Sequence, residues 1–219
     1  MSENQEKFLA SSERTVASRL IVILGGARSG KSTFAERLAA RSGRPVAFIA
    51  TATASDDEMR ERIARHRASR PKEWYTLEEP LALAQAVRQA AELADVMLLD
   101  CVTVWLGNVL LQAWGQHAQD EQGEEVLPAM GGLFDEGALK ECEALLAVVK
   151  SLGANKTLIV VTNEVGLGIV PAYPLGRLYR DTLGYINQRL AEAAERVYLM
   201  VAGLAVDIKR LHEEVSLYS

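Results

Sequence analysis

A glycine-rich stretch, GGARSGKS, carries the residue types that hold phosphate groups in proteins. It matches the spacing G-x-x-x-x-G-K-[ST], in which glycines let the backbone form a concave nest of N–H groups. Lys31 can reach the outer phosphates of a nucleotide, and the Ser32 hydroxyl can bind Mg²⁺. The alternative is a glycine turn that matches the motif by chance. The motif predicts binding of a nucleoside triphosphate through Gly25, Gly26, Ala27, Arg28, Ser29, Gly30, Lys31 and Ser32.

Two acidic residues follow apolar runs and are candidates for a role beside those phosphates. Asp100 comes directly after VMLL and is, with Ser32, the predicted Mg²⁺ ligand, although an ordinary aspartate at a strand end is the alternative. Asn163 and Glu164 follow another apolar run and open the sequence NEVGLGIVP. Because strand ends converge on the ligand crevice of a parallel sheet, these two residues either touch substrate or water, or belong to a surface loop.

A basic segment, MRERIARHRASR at residues 59–70, contains the histidine His66. On a helix, Met59, Ile63 and His66 would share one face, with arginines on its flanks. From the residues alone, a solvated basic face with a packed histidine is the favoured interpretation. The alternative is a nucleophile: a neutral imidazole can attack phosphorus, and arginines would stabilise the charge on the phosphates.

Short apolar runs alternate with amphipathic segments along the chain. Predicted strands cover residues 20–24, 46–50, 96–99, 157–162 and 197–202. Predicted helices cover residues 31–42, 55–69, 80–93, 138–151 and 177–195. Residues 113–137, rich in Gly, Gln and acidic side chains, are expected to be irregular or partly helical. This alternation predicts an α/β fold of the P-loop NTPase type (RecA-like), with a mostly parallel sheet and helices on both faces.

Bulk properties limit the class of protein. A chain of 219 residues with 49% hydrophobic and 24% charged residues is expected to form one globular domain at 19–210, with a disordered tail at 1–18 and a C-terminal tail at 211–219. A net charge of −5 argues against a nucleic-acid-binding surface. No apolar run is long enough for a membrane span, and two cysteines favour free thiols in a reducing cytoplasm.

Four stretches together resemble one family. They are GGARSGKSTFAERLA, FIATATASDDEMRERIARHRASRP, VTNEVGLGIVP and INQRLAEAAERVYLMVAGL. The chain resembles the bifunctional adenosylcobinamide kinase / adenosylcobinamide-phosphate guanylyltransferases of cobalamin biosynthesis from about residue 20 to 209, apart from 113–137. Many unrelated enzymes share the phosphate loop, whereas the basic segment and VTNEVGLGIVP are more particular to this family.

The resemblance implies two reactions on a corrinoid, adenosylcobinamide. The hydroxyl of adenosylcobinamide first takes a phosphoryl group from ATP or GTP. GTP then delivers GMP to a histidine of the enzyme, and the substrate phosphate takes GMP from that histidine. The family's histidine falls at His66, so that His66 and Lys31 are the expected catalytic residues. Some relatives have two adjacent histidines here, whereas this chain has Arg65.

The same resemblance implies contacts to the guanine nucleotide and an assembly. The contact positions match Ala50, Thr51, Ala52, Arg67, Ala68, Ser69, Arg70, Glu78 and Asp100. Some relatives carry glutamate where this chain has Asp100, and either carboxylate can hold a metal. A homotrimer is expected from the family. Two other functions remain open: a P-loop small-molecule kinase without the guanylyl step, and a nucleotide-dependent regulatory ATPase.

Overall fold

A seven-stranded sheet lies at the centre of the computed structural model. The structure describes residues 20–53, 60–61, 67, 70–117 and 126–216, and within these ranges it describes the backbone alone at 114–117, 126–133 and 215–216. The strands are β1 (Leu20–Gly25), β2 (Val46–Ala50), β3 (Tyr75–Glu78), β4 (Val96–Asp100), β5 (Thr157–Val161), β6 (Arg196–Val201) and β7 (Leu204–Asp207). The helices are α1 (Lys31–Arg41), α2 (Leu83–Leu93), α3 (Val102–His117), α4 (Val126–Ser151), α5 (Pro174–Ala193) and α6 (Ile208–Ser216).

The strand order is β3-β2-β4-β5-β1-β6-β7. Every neighbouring pair is parallel except β6 and β7, which form an antiparallel hairpin. Because β5 lies between β1 and β4, the carboxyl end of β5 lies between the phosphate loop and Asp100. The predicted α/β, P-loop NTPase-type (RecA-like) fold is confirmed.

Burial on both faces explains why the central strands read as continuous apolar runs. All six residues of β1 are buried, and successive side chains point to opposite faces. Leu20, Val22 and Leu24 pack in one core with residues of α2, α3, α4 and α5. Ile21 and Ile23 pack in the other core with residues of α1. The sheet is thus covered on both faces, and its strand ends are left for the site.

The five predicted strands and the helices predicted at 31–42, 80–93 and 177–195 are confirmed with small shifts of their ends. The helix predicted at 138–151 is confirmed with a much earlier start. The helix predicted at 55–69 lies mostly outside the described residues, although Arg60, Glu61 and Arg67 are helical. Residues 113–137 are partly helical as expected, because α3 extends to His117 and α4 begins at Val126. The start predicted for the last of these helices, residue 138, was wrong, because α4 begins at Val126 and continues through Gly131, Gly132 and Gly137.

Four elements were not predicted. The two edge strands, β3 and β7, have mostly exposed side chains and therefore lack an apolar run. α3 is apolar on several sides, so that no helical period stands out. α6 begins before the predicted tail at 211–219 and continues to Ser216. The limits of the predicted N-terminal tail, 1–18, and of the predicted domain, 19–210, stay predictions. No helix in the described part of the chain has the length and apolar character needed to cross a membrane.

Candidate nucleotide site at the phosphate loop

The phosphate loop connects β1 to α1 and depends on glycine at two positions. Gly25 has φ 153°, and a Cβ there would lie 2.6 Å from the Met200 carbonyl oxygen and 2.8 Å from Ser29 Oγ. Gly30 has φ 95° at the N-cap of α1, a left-handed conformation that L side chains rarely adopt. No side chain caps this helix, which leaves its N-terminal amides for an anion.

Lys31 lies folded into the loop. Its Nζ donates a hydrogen bond to the Gly26 carbonyl at 2.7 Å, and the residue is only 8% exposed. Burial lowers the pKa of the Lys31 ammonium, whereas Cys101 and Asp100 raise it. The ammonium is therefore held where a phosphate group would replace the Gly26 carbonyl as its partner.

Asp100 ends β4 beside this loop, as the sequence predicts. It is in register with Ala50 of β2 and Val161 of β5. Its carboxylate raises the pKa of the Lys31 ammonium. A carboxylate together with the Ser32 hydroxyl gives the hard oxygen ligands that Mg²⁺ prefers. Within the described residues no three His, Cys, Asp or Glu side chains converge on a metal site. These two side chains fit a Mg²⁺ ion that takes its other ligands from phosphates and water.

The segment predicted to contact the nucleotide at Ala50, Thr51 and Ala52 is fixed by hydrogen bonds to Cys101, which directly follows Asp100. Thr51 is fully buried, and its Oγ accepts from the Cys101 N–H at 2.9 Å and donates to the Cys101 carbonyl at 2.8 Å. Asn108 Nδ2 donates to the Thr51 carbonyl at 2.8 Å. Both hydrogen bonds of the Thr51 hydroxyl thus hold the chain at the end of β4. A contact between Thr51 and the nucleotide stays a prediction.

Arg70, at the end of the basic segment, reaches the same region. Its guanidinium carbon lies 3.4 Å from the centre of the Phe48 ring, a cation–π contact. Burial lowers the pKa of Arg70, whereas Glu36, Asp100 and Glu78 raise it. A half-buried guanidinium is therefore held among carboxylates next to the phosphate loop.

Two further predicted contacts lie at the outer edge of the site. Arg67 Nη1 is 3.6 Å from Glu78 Oε1, and both side chains are exposed. Glu78 ends β3 in register with Ala50, so that it lies on the same strand-end edge as Asp100. This pair joins the basic segment to the sheet, and at such exposure it contributes little to stability.

His66, Ala68 and Ser69 lie outside the described residues. Arg67 and Arg70, which flank Ala68 and Ser69 in the chain, are described. Arg67 lies near Glu78, and Arg70 lies near Asp100. The role expected for His66 as nucleophile therefore stays a prediction.

The end of β5 is tied to the phosphate loop. The Glu164 N–H donates to the Gly25 carbonyl at 3.1 Å, and Glu164 Oε1 accepts from the Gly166 N–H at 2.6 Å. The Asn163 N–H donates to Thr103 Oγ at 2.8 Å. The structure thus brings Asn163 and Glu164 to the site, which the sequence left open.

Sequence reasoning missed the residues that hold this strand end. Asn187 of α5 donates from Nδ2 to the Asn163 carbonyl at 2.9 Å and accepts from Thr162 Oγ at 2.8 Å. Tyr179 of α5 donates from its hydroxyl to the Thr103 carbonyl at 2.6 Å, and burial raises its pKa. Single polar residues in amphipathic helices look like solvent-facing positions, and only the strand order shows that these face inward.

Comparisons with known proteins identify the family of this chain. The family described as cobinamide kinase / cobinamide phosphate guanyltransferase matches residues 21–208. A bifunctional adenosylcobalamin biosynthesis protein of Pseudomonas aeruginosa is 47% identical over 188 residues, covering 86% of this chain and 96% of the relative. A protein of the same description from Escherichia coli is 39% identical over 190 residues, covering 87% and 99%. A structure of the RadB recombinase is 16% identical, covers 83% of this chain and 74% of its own, and has a TM-score of 0.40.

Proposed function

Because the chain belongs to the cobinamide kinase / cobinamide phosphate guanyltransferase family, we propose that one phosphate loop serves both reactions and that His66 carries GMP between them. The chain is a kinase and guanylyltransferase of adenosylcobalamin biosynthesis. A kinase without the guanylyl step and a regulatory ATPase are therefore set aside. The observation that carries the proposal is the convergence of Lys31, Asp100 and Arg70 beside the phosphate loop.

In the kinase reaction, the phosphate loop and Lys31 hold the phosphates of ATP or GTP. The cobinamide hydroxyl gives up its proton as its oxygen bonds to the γ-phosphorus, and the bond to the bridging oxygen breaks to release the nucleoside diphosphate. Ser32 and Asp100 would hold Mg²⁺, which when bound supplies positive charge against the phosphates. The backbone amides at the start of α1 and the Lys31 ammonium stabilise the same charge.

In the guanylyl reaction, a nitrogen of the His66 imidazole bonds to the α-phosphorus of GTP and pyrophosphate leaves. An oxygen of cobinamide phosphate then bonds to that phosphorus, the nitrogen–phosphorus bond breaks, and the imidazole is restored. Arg67 and Arg70 flank this histidine in the chain and supply cations for the phosphates. Two displacements at one phosphorus thereby replace a single crowded transfer.

The edge formed by Ala50, Ala52 and Glu78 supports the choice of guanine in the second reaction. Guanine presents N–H donors on its pairing edge, and a carboxylate accepts hydrogen bonds from them. Glu78 lies in register with Ala50, which places an acceptor at the strand-end edge. Arg67, now 3.6 Å from Glu78, would be free to turn to phosphate when the base takes its place.

Assembly and location belong to the same proposal. A homotrimer follows from the family resemblance, and exposed apolar residues such as Leu204 and Leu211 offer surface for contacts between copies. Cys101 and Cys142 are free thiols, which suits a reducing cytoplasm where ATP and GTP are available.

Labelling with GTP that carries the label on its α-phosphate tests the covalent step. Wild type should retain one label that is lost in acid and kept in alkali, and His66→Ala should retain none, because a phosphorus–nitrogen bond to imidazole is acid-labile. His212→Ala is the matched control, because His212 belongs to α6 and to neither the phosphate loop nor the basic segment, and it should label like wild type. Absence of label on wild type, or full labelling of His66→Ala, would show that His66 is not the nucleophile.

A further inference from the structure

The connection between β5 and α5 presents large aliphatic side chains to water. Leu167 is 87% exposed and Ile169 is 97% exposed, and Val170 and Tyr173 are also mostly exposed. We call these four residues, with Val165, the apolar ledge. Contiguous exposed apolar residues on a loop usually mark a binding surface, since exposure to water is unfavourable for them.

The apolar ledge borders a cavity of about 340 Å³. Its lining includes Leu110 of α3, Val165, Pro171, Tyr173, Leu175 and Tyr179. Apart from Arg180, the lining side chains are thus apolar or aromatic, and they suit a bulky organic ligand better than an ion or a nucleotide phosphate.

The loop that carries the ledge has a defined shape. Arg177 Nη1 donates to the carbonyls of Pro171 and Ala172 at 3.0 and 2.8 Å. Gly176 lets the Tyr173 ring lie close, because a Cβ at Gly176 would be 2.6 Å from Tyr173 Cε2. These contacts fix one end of the loop, as the hydrogen bond from the Glu164 N–H to the Gly25 carbonyl fixes the other.

That second anchor places the ledge beside the phosphate loop. Four residues lie between Glu164 and Ile169, so that the Cα atoms of these two residues are at most about 18 Å apart. The cobinamide hydroxyl must reach the γ-phosphate at this loop, so the corrin ring must lie on surface next to it. Elsewhere around the site, the described side chains at Arg28, Arg67 and Glu78 are exposed and charged.

We propose that the apolar ledge and its cavity bind the corrin ring of cobinamide and so orient its hydroxyl, and later its phosphate, towards the phosphate loop. This inference rests on the cobinamide activity stated above. A corrin ring bears methyl groups around its rim, and these can pack on Leu167, Ile169 and Val170 while the polar arms stay in water. The ledge would then serve both reactions, because both use the same corrinoid.

The test compares two double variants in steady-state kinase assays with cobinamide. Leu167→Ser with Ile169→Ser should raise the KM for cobinamide about tenfold or more, because its contacts with the ring are removed, and should leave the KM for nucleotide unchanged. Leu93→Ser with Ala40→Ser changes exposed apolar residues at the ends of α2 and α1, which lead to the starts of β4 and β2 at the edge of the sheet opposite the phosphate loop, and should leave both constants as in wild type.

Two results would overturn the proposal. One is an unchanged KM for cobinamide in the ledge variant. The other is a loss of oligomer in light scattering together with equal losses towards cobinamide and nucleotide, which would identify the ledge as an interface between copies of the chain. Uptake of label from α-labelled GTP needs no corrinoid, so a ledge variant that labels normally while its KM is unchanged refutes the ledge alone. Failure of wild type to label would refute the covalent step instead.

Discussion

At the scale of single residues, Lys31 and Asp100 interact electrostatically. Burial lowers the pKa of the Lys31 ammonium, and the Asp100 carboxylate is one of the groups that raise it. The Asp100 carboxylate therefore favours the charged form of a nearly buried lysine, and the same group is the proposed Mg²⁺ ligand. One residue thus serves both the charge of the loop and the proposed Mg²⁺ site.

Asp100→Asn should lower kcat of both reactions about a hundredfold. The substitution keeps the shape of the side chain and removes the negative charge that would hold Mg²⁺ against the phosphates. Asp95→Asn is the matched control, because Asp95 precedes β4 at the opposite end of the strand and pairs with Lys156 at 2.8 Å. Coupled assays of nucleoside diphosphate and pyrophosphate release measure the two rates. Near-normal rates in Asp100→Asn at saturating Mg²⁺ would exclude Asp100 from the metal site.

The site residues that could be predicted from the sequence are those that belong to a local motif or follow an apolar run. The phosphate loop, Lys31 and Asp100 follow from spacing and from position after an apolar run. Thr103 and Asn187 were missed because their function depends on partners 60 and 24 residues away in the chain. Such pairings depend on strand order, which no local pattern contains.

At the scale of elements, α5 supports the site by holding the end of β5. Thr162 is fully buried, and its hydroxyl bonds to Asn187 Oδ1, while Asn187 Nδ2 bonds to the Asn163 carbonyl. Because Glu164 bonds to Gly25 directly after this point, the position of the phosphate loop depends on a helix that contributes no residue to the motif. The central strands were predictable from burial on both faces, whereas β3 and β7 were not, because edge strands bury too little to show a pattern.

Asn187→Leu should lower the free energy of unfolding by about 2–4 kcal/mol, since it leaves a buried hydroxyl and a buried carbonyl without partners. Thr162→Val combined with Asn187→Leu should cost less than the sum of the two single changes, because one of the unpaired groups is then removed. Urea denaturation of the four proteins measures this coupling. Strictly additive losses would show that the Thr162–Asn187 hydrogen bond does not operate in solution.

At the scale of the whole molecule, the C-terminal hairpin closes against the phosphate loop near the start of the chain. The Gly203 N–H, in the turn between β6 and β7, donates to the Ser29 carbonyl at 3.0 Å. Arg196 and Asp207 hold the hairpin through an ion pair at 2.9 Å, and Asp207 Oδ1 accepts from the Arg210 N–H at 3.1 Å as a cap of α6. The last part of the predicted domain therefore takes part in shaping the site.

Asp207→Ala should lower the free energy of unfolding by about 1–2 kcal/mol, because it removes a helix cap and a partly buried ion pair together. It should also weaken nucleotide binding, since the turn that contacts Ser29 loses its support. Asp181→Ala is the control: Asp181 is an exposed residue that pairs with its chain neighbour Arg180 at 2.8 Å, and its loss should leave both properties near wild type. Thermal denaturation with and without GTP measures stability and binding in one experiment. If Asp207→Ala loses stability and keeps full nucleotide affinity, the hairpin stabilises the fold without shaping the phosphate loop.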